Sequence, residues 1–260
     1  RDLEQLDSVS AQANFDAANR SLVSDIQIPY ARYKGIALDS LSFSINGDAT
    51  NLSFKTGLAK LLADPVDLGR TTLEGRLYNR QLLLDFSSYD GAEKITHLAS
   101  EMSLAKDTTL LHINPTSLIF NKSKWSVPED NSISFSENHL EFNNVILKRN
   151  SQKLSFASGL PETEAQPITL SFEQFKLQTF IAMLNPERPL ASGIVNGDFT
   201  IENLFGATGI VADFNINDLE ILEHTLGNLR LNANSKLNGT YDFNLALKGG
   251  GADIDLNGDY

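Results

Sequence analysis

Four histidines, His97, His112, His139 and His224, are the side chains of this 260-residue chain best suited to moving a proton or binding a metal. Long gaps separate them, and none has a partner at metal-ligand spacing. The stretch Asp253-Ile-Asp-Leu-Asn-Gly-Asp259 carries the first half of a calcium-loop pattern, without the distal Glu that such a loop needs and without a preceding helix. Its Asp and Asn residues alternate with Ile254 and Leu256, which in a strand puts them on the wet face. Asn-Gly-Asp occurs at 46–48, 196–198 and 257–259. An adhesion or metal motif is one reading; a turn or a strand glycine is the better one, since Gly197 lies inside a clean alternating run. Gly249-Gly250-Gly251 is followed by no helix start and no Lys-Ser/Thr, so it fits a hairpin tip or a bend better than a phosphate cradle. Trp125, beside Lys122 and Lys124, fits a core position better than an interfacial contact. The carboxylates are spread out, and no nucleophile elbow accompanies the serines. No catalytic group, metal or cofactor is expected, and the chain does not read as an enzyme.

Composition narrows the partners. Lys and Arg total 21 against 33 Asp and Glu, a net charge of −12, so a nucleic-acid face is not expected. Hydrophobic residues make up 41%, enough for a folded core. No apolar run approaches the roughly 20 residues of a membrane-spanning helix. Cysteine is absent, which removes disulfides and thiolate chemistry together. The chain opens on Arg1 without a signal-peptide pattern and ends in mid-pattern at Tyr260, so it is expected to be an excerpt of a longer polypeptide.

The dominant signal is strict alternation of apolar and polar residues in short runs. Leu41, Phe43 and Ile45 alternate with serines; Leu82, Leu84 and Phe86 belong to a second run, and Tyr241, Phe243, Leu245 and Leu247 to a third. Period two places such side chains on one face of a strand. Phe54, Phe135, Phe142, Phe156, Val195, Phe199, Ile201 and Phe214 sit in similar runs. The expectation is an all-β protein, an extended antiparallel sheet with one greasy and one wet face. Two helical interruptions are expected, at Leu58–Ala63 before Pro65 and from Phe172 through Phe175, Phe180 and Ile181 to Leu184 before Pro186. Residues 94–104 show little pattern. The proline-bracketed acidic stretch 159–167 reads as a linker or loop between segments 1–158 and 168–260.

Residues 168–260 carry a further pattern. Phe172–Leu184 leads into Leu190-Ala-Ser-Gly193-Ile-Val195-Asn-Gly197-Asp-Phe199, then Leu226-Gly227-Asn-Leu229-Arg-Leu231, closing on Ile254-Asp-Leu256-Asn-Gly258-Asp-Tyr260. This cadence resembles the TamB family, the translocation and assembly module branch of the AsmA-like proteins of diderm bacteria, and residues 36–57 echo it. The resemblance implies a long sheet curled into an open U-shaped groove, with an apolar interior and a few short helices. It implies that the eighteen alternating residues named above line that groove and carry phospholipid acyl chains between inner and outer membrane. It also implies a periplasmic location, an anchor in the inner membrane elsewhere in the chain, and a BamA-type outer-membrane barrel (TamA-like) as partner. Two other readings stand beside it: a chaperone-like module offering strand edges to outer-membrane barrels, and a closed β sandwich whose apolar residues form a private core.

Overall fold

The structure is a computed structural model that describes residues 2–159, 166–206, 209–235, 240–251 and 253–259. Strands take up 70% of the described residues, and the one helix among them is four residues long. The chain forms two compact units, one of Arg1–Leu104, Ser117–Lys124 and Ala182–Arg188, the other of Ala105–Thr116, Trp125–Ile181 and Pro189–Tyr260.

The first unit is built from β1 (Leu3–Leu6), β2 (Ser10–Asp16), β3 (Ser21–Tyr33), β4 (Ile36–Gly47), β5 (Asn51–Leu58), β6 (Lys60–Ala63), β7 (Val66–Leu68), β8 (Thr71–Tyr78), β9 (Gln81–Asp90) and β10 (Glu93–Ala105). The main order is β1-β3-β4-β5-β8-β9-β10, with β2 also on β3 and β6 on β4. Alternation within each strand becomes rows across them. Ile26, Phe43, Thr56, Leu73, Phe86 and Leu98 stand in register, and beside them Ser24, Ile45, Phe54, Gly75, Leu84 and Ser100. The opposite face presents Asp25, Ser44, Lys55, Glu74 and Asp85. After β11 (Thr108–Ile113), which belongs to the second unit, the short strands β12 (Ile119–Phe120) and β13 (Ser123–Lys124) return to the first, with Ile119 opposite His97.

Two expectations for this unit are corrected. Leu58–Ala63 is not helical: β5 ends at Leu58, and β6 pairs Leu61 and Leu62 with Leu38 and Ala37 of β4. A corner at Ala59, whose amide donates to the Asp39 carbonyl at 3.0 Å, sets those leucines at a spacing that mimics a helix. The weakly patterned 94–104 stretch lies in β10, the register of which shifts between Lys94 and Thr96; that bulge breaks the alternation.

In the second unit, β11 pairs with β14 (Ser132–Ser136), which pairs with β15 (His139–Asn143). An eight-stranded sheet follows in chain order: β16 (Val145–Arg149), β17 (Gln152–Ser158), β18 (Ile168–Lys176), β19 (Ala191–Ile201), β20 (Ile210–Ile221), β21 (His224–Ser235), β22 (Tyr241–Lys248) and β23 (Ile254–Asp259). The helix α1 (Gln178–Ile181) leaves the end of β18. Among the described residues neither sheet closes on itself. Residues 160–165 of the expected connector lie outside the described residues; its flanks Gly159 and Pro167 are hydrogen bonded at 2.8 Å where β17 meets β18.

The helix expected from Phe172 is corrected to Gln178–Ile181, because Phe172 and Phe175 lie in β18. Gln174 sits in a bulge between them with φ 46°, its amide donating to Asn196 Oδ1 at 2.8 Å. One extra residue returns both rings to the same face three positions apart, the spacing of a helical stripe. Beyond the bulge Trp125, 4% exposed, packs on Phe175 at 5.9 Å, and Phe175 on Phe180 at 5.2 Å. These rings cap one end of the sheet's apolar face. Buried Asn131 holds the loop before β14, its Oδ1 accepting from Ile113 N and its Nδ2 donating to the carbonyls of Ile113 and Pro128.

Candidate apolar binding face

The second unit's sheet sorts its side chains more completely than one strand could reveal. Leu147, Leu154, Phe172, Gly197, Phe214, Leu231, Leu245 and Leu256 form one row across all eight strands. Val145, Phe156, Leu170, Phe199, Ala212, Ala233, Phe243 and Gly258 form the next. A third holds Phe175, Val195, Ile216, Leu229, Leu247 and Ile254. On the other face Ser155, Ser171, Asp198, Asp213, Asn232, Asn244 and Asn257 stand in line, the last two joined by a side-chain hydrogen bond.

Of the residues expected to line a groove, Phe156, Val195, Phe199, Ile201, Phe214, Tyr241, Phe243, Leu245 and Leu247 share the apolar face of this sheet by strand parity. Phe135 and Phe142 lie in β14 and β15, where Phe142 stacks on Phe156 with centroids 5.4 Å apart. Leu41, Phe43, Ile45, Phe54, Leu82, Leu84 and Phe86 share the corresponding face of the first unit. Only Val195 and Leu247 of the eighteen are buried; the remainder are half-buried, apart from exposed Phe243. Side chains sealed in a private core would be mostly buried.

Cover is uneven. Val145 and Leu154 are 2% exposed, whereas Phe243, Ile254 and Leu256 on β22 and β23 reach 36%, 39% and 52%. Between these ends lies a hollow of about 360 Å³, lined by Leu170, Phe172, Leu177, Val195, Phe199, Phe214, Ile216 and Leu231. No polar side chain lines it. Five of these eight, Leu170, Phe172, Leu177, Ile216 and Leu231, were absent from the alternation-based set. The run Ile168, Leu170, Phe172 against Thr169, Ser171, Glu173 carried the signal for two of them, but the bulge beyond it disguised the strand.

The chemistry-bearing residues are not brought together. His97 Nε2 lies 2.8 Å from Asp85 Oδ2, His112 Nδ1 2.8 Å from the Asn131 carbonyl, and His139 Nε2 3.4 Å from Glu141 Oε2. His224 is exposed at the start of β21. Among the described residues no three His, Asp or Glu are grouped to hold a metal. Asp255 and Asn257 extend along β23, and Gly249–Gly251 lie in the connection between β22 and β23. Perturbed ionisations lie elsewhere. Hydrogen bonds from the Thr50 hydroxyl and amide and the Asn51 amide hold the Asp48 carboxyl below its ordinary value. Glu93 and then Asp90 hold Lys122 above its own.

No protein-family model matches the chain, and no curated protein or solved structure matches it.

Proposed function

We propose that this chain is a section of a hydrophobic conduit of the bacterial envelope, on which phospholipid acyl chains rest as they cross an aqueous compartment. The observation that carries the reading is the alignment of apolar side chains into rows that stay largely half-buried, opposite rows of Ser, Asp and Asn. An apolar patch extended over many strands marks an interaction surface. An acyl chain costs about 0.8 kcal/mol per CH₂ in water, so a chain of roughly sixteen carbons costs on the order of 13 kcal/mol. An apolar face lowers that barrier without any reacting group. The TamB-like cadence of residues 168–260 supports the placement in the periplasm, the U-shaped curl, the inner-membrane anchor and the barrel partner, all of which belong to the same proposal.

Photocrosslinking in cells tests it, with a photoreactive residue at Leu84, Phe86, Phe243 or Leu245. Arg76 and Asn244, on the polar faces, serve as controls. Ser87 is unsuitable because it is 3% exposed. Phospholipid adducts confined to the first set are expected. Equal labelling of both sets, or none in either, overturns the proposal.

A further inference from the structure

By strand register Gly197 stands between residues that line the hollow. Across the strands its neighbours are Phe172 and Phe214; along β19 they are Val195 and Phe199. Leu170 faces Phe199 and Ile216 faces Val195, completing a ring of apolar side chains around one missing side chain. The backbone there has φ 117°, a conformation open to glycine, and a Cβ would stand 2.6 Å from the Cα of Phe214. No side chain stands at this place in the row, and one would run into the backbone of β20.

Gly75 in the first unit marks the contrast. It also faces a phenylalanine across the ladder, but there the ring of Phe54 lies where a Cβ would go and closes the gap. A glycine in an apolar row does not by itself make a hollow. In the second unit the hollow lies where Phe172, Phe199 and Phe214 stand around the gap. The low ground continues across the sheet through Ala212 and Ala233, which stand in register between Phe199 and Phe243.

From this geometry we infer that the hollow walled by Phe172, Phe199 and Phe214 is a discrete resting site for a single acyl chain. The inference rests on the conduit reading and deepens it: chains pause at this place instead of sliding over a uniform face. The occupant follows from what the walls lack. A peptide segment would bring N–H and C=O groups that need partners, and β19 is paired on both sides by β18 and β20, as β20 is by β19 and β21. The lining offers no polar side chain to replace them. A hydrocarbon chain has no such demand. About 360 Å³ lies at the small end of ligand sites, suited to one chain and not to a whole phospholipid.

The test uses the full chain with a fatty acid bearing a diazirine near its methyl end, and adducts mapped by mass spectrometry. Adducts concentrated at Phe199, Phe214 and Leu231 are expected. Gly197→Ala is a poor probe because its backbone strain could unfold the sheet, so Leu231→Trp is the variant of choice: half-buried, it grows into the hollow. Filling space that takes about two methylenes should lower the yield at Phe199 and Phe214 roughly tenfold, with labelling elsewhere on the apolar faces unchanged. Adducts spread evenly, including at Phe43 and Phe86, or a Leu231→Trp yield equal to the parent's, overturn the resting site and leave the conduit standing. Absence of adducts from every apolar-face residue overturns both.

Discussion

Gly75 and Gly197 hold matching places in two sheets: each stands in an apolar row, and each faces a phenylalanine on the neighbouring strand. Phe54 folds its ring over Gly75; at Gly197 the place of a Cβ is taken by the Asp213–Phe214 backbone, and a hollow lies among the side chains around it. The pattern of residue types is the same, so the difference lies in the backbone. At Gly75 φ stays outside the left-handed region, so the site remains regular strand and the ring drops into the vacant Cβ position. At Gly197 the positive φ turns the absent side chain toward the Asp213–Phe214 backbone, and no ring can lie there. One gap is filled by a ring; the other lies among the walls of a hollow.

Alanine at position 197 should have the largest effect on that contrast. Positive φ and overlap with the Phe214 backbone together should cost about 3 kcal/mol in urea unfolding. Phe54→Ala removes the ring that closes the gap at Gly75. It should cost about 2 kcal/mol, below the range for a fully buried phenylalanine because Phe54 is half-buried. It should also turn the first unit's sheet into one with a hollow, detected as a rise in fatty-acid adducts at Ile45 and Leu84 above the parent's yield. Gly75→Ala only has to push that ring aside, and a cost of about 1 kcal/mol is expected from the same unfolding measurement.

The smallest effect concerns the turn that sets Phe54 in register. Asp48 joins β4 to β5, and its carboxylate accepts from the Thr50 hydroxyl and amide at 2.7 Å and from the Asn51 amide at 2.9 Å. These bonds depress its pKa. A carboxyl whose folded pKa lies below the unfolded one stabilises fully above the unfolded value and loses that contribution as pH falls through the folded one. Amide exchange at Thr50 and Asn51 should therefore quicken in acid, relative to its intrinsic rate, below the ordinary carboxylate range, and Asp48→Asn should flatten that dependence.

The alternation of Tyr241, Phe243, Leu245 and Leu247 made β22 and its apolar face legible from one strand, and the same held for Leu82–Phe86. What failed to show were places where one residue breaks the period. Gln174 bulges out of β18, so Phe172 and Phe175 fall on one face at a helical spacing. Ala59 turns a corner, so Leu58, Leu61 and Leu62 look like a helix while two strands pair with different parts of β4. The hollow was less legible still. It depends on Phe172, Gly197 and Phe214 standing opposite one another, and register between strands is set by pairing that no single run encodes. The cover given by Trp125, Phe175 and Phe180 likewise depends on where a distant segment docks, which period two does not report.

The most direct measurement of the central claim is quenching of tryptophan by bromine carried on acyl chains. The full chain, with Phe243→Trp or Asn244→Trp, is mixed with vesicles of phosphatidylethanolamine brominated along its chains. The native Trp125, 4% exposed, supplies a constant background. Emission from the Phe243→Trp protein should fall well below that with unbrominated lipid, while the Asn244→Trp protein should match the parent. Equal quenching at both positions, or none at either, would contradict an apolar face that holds acyl chains.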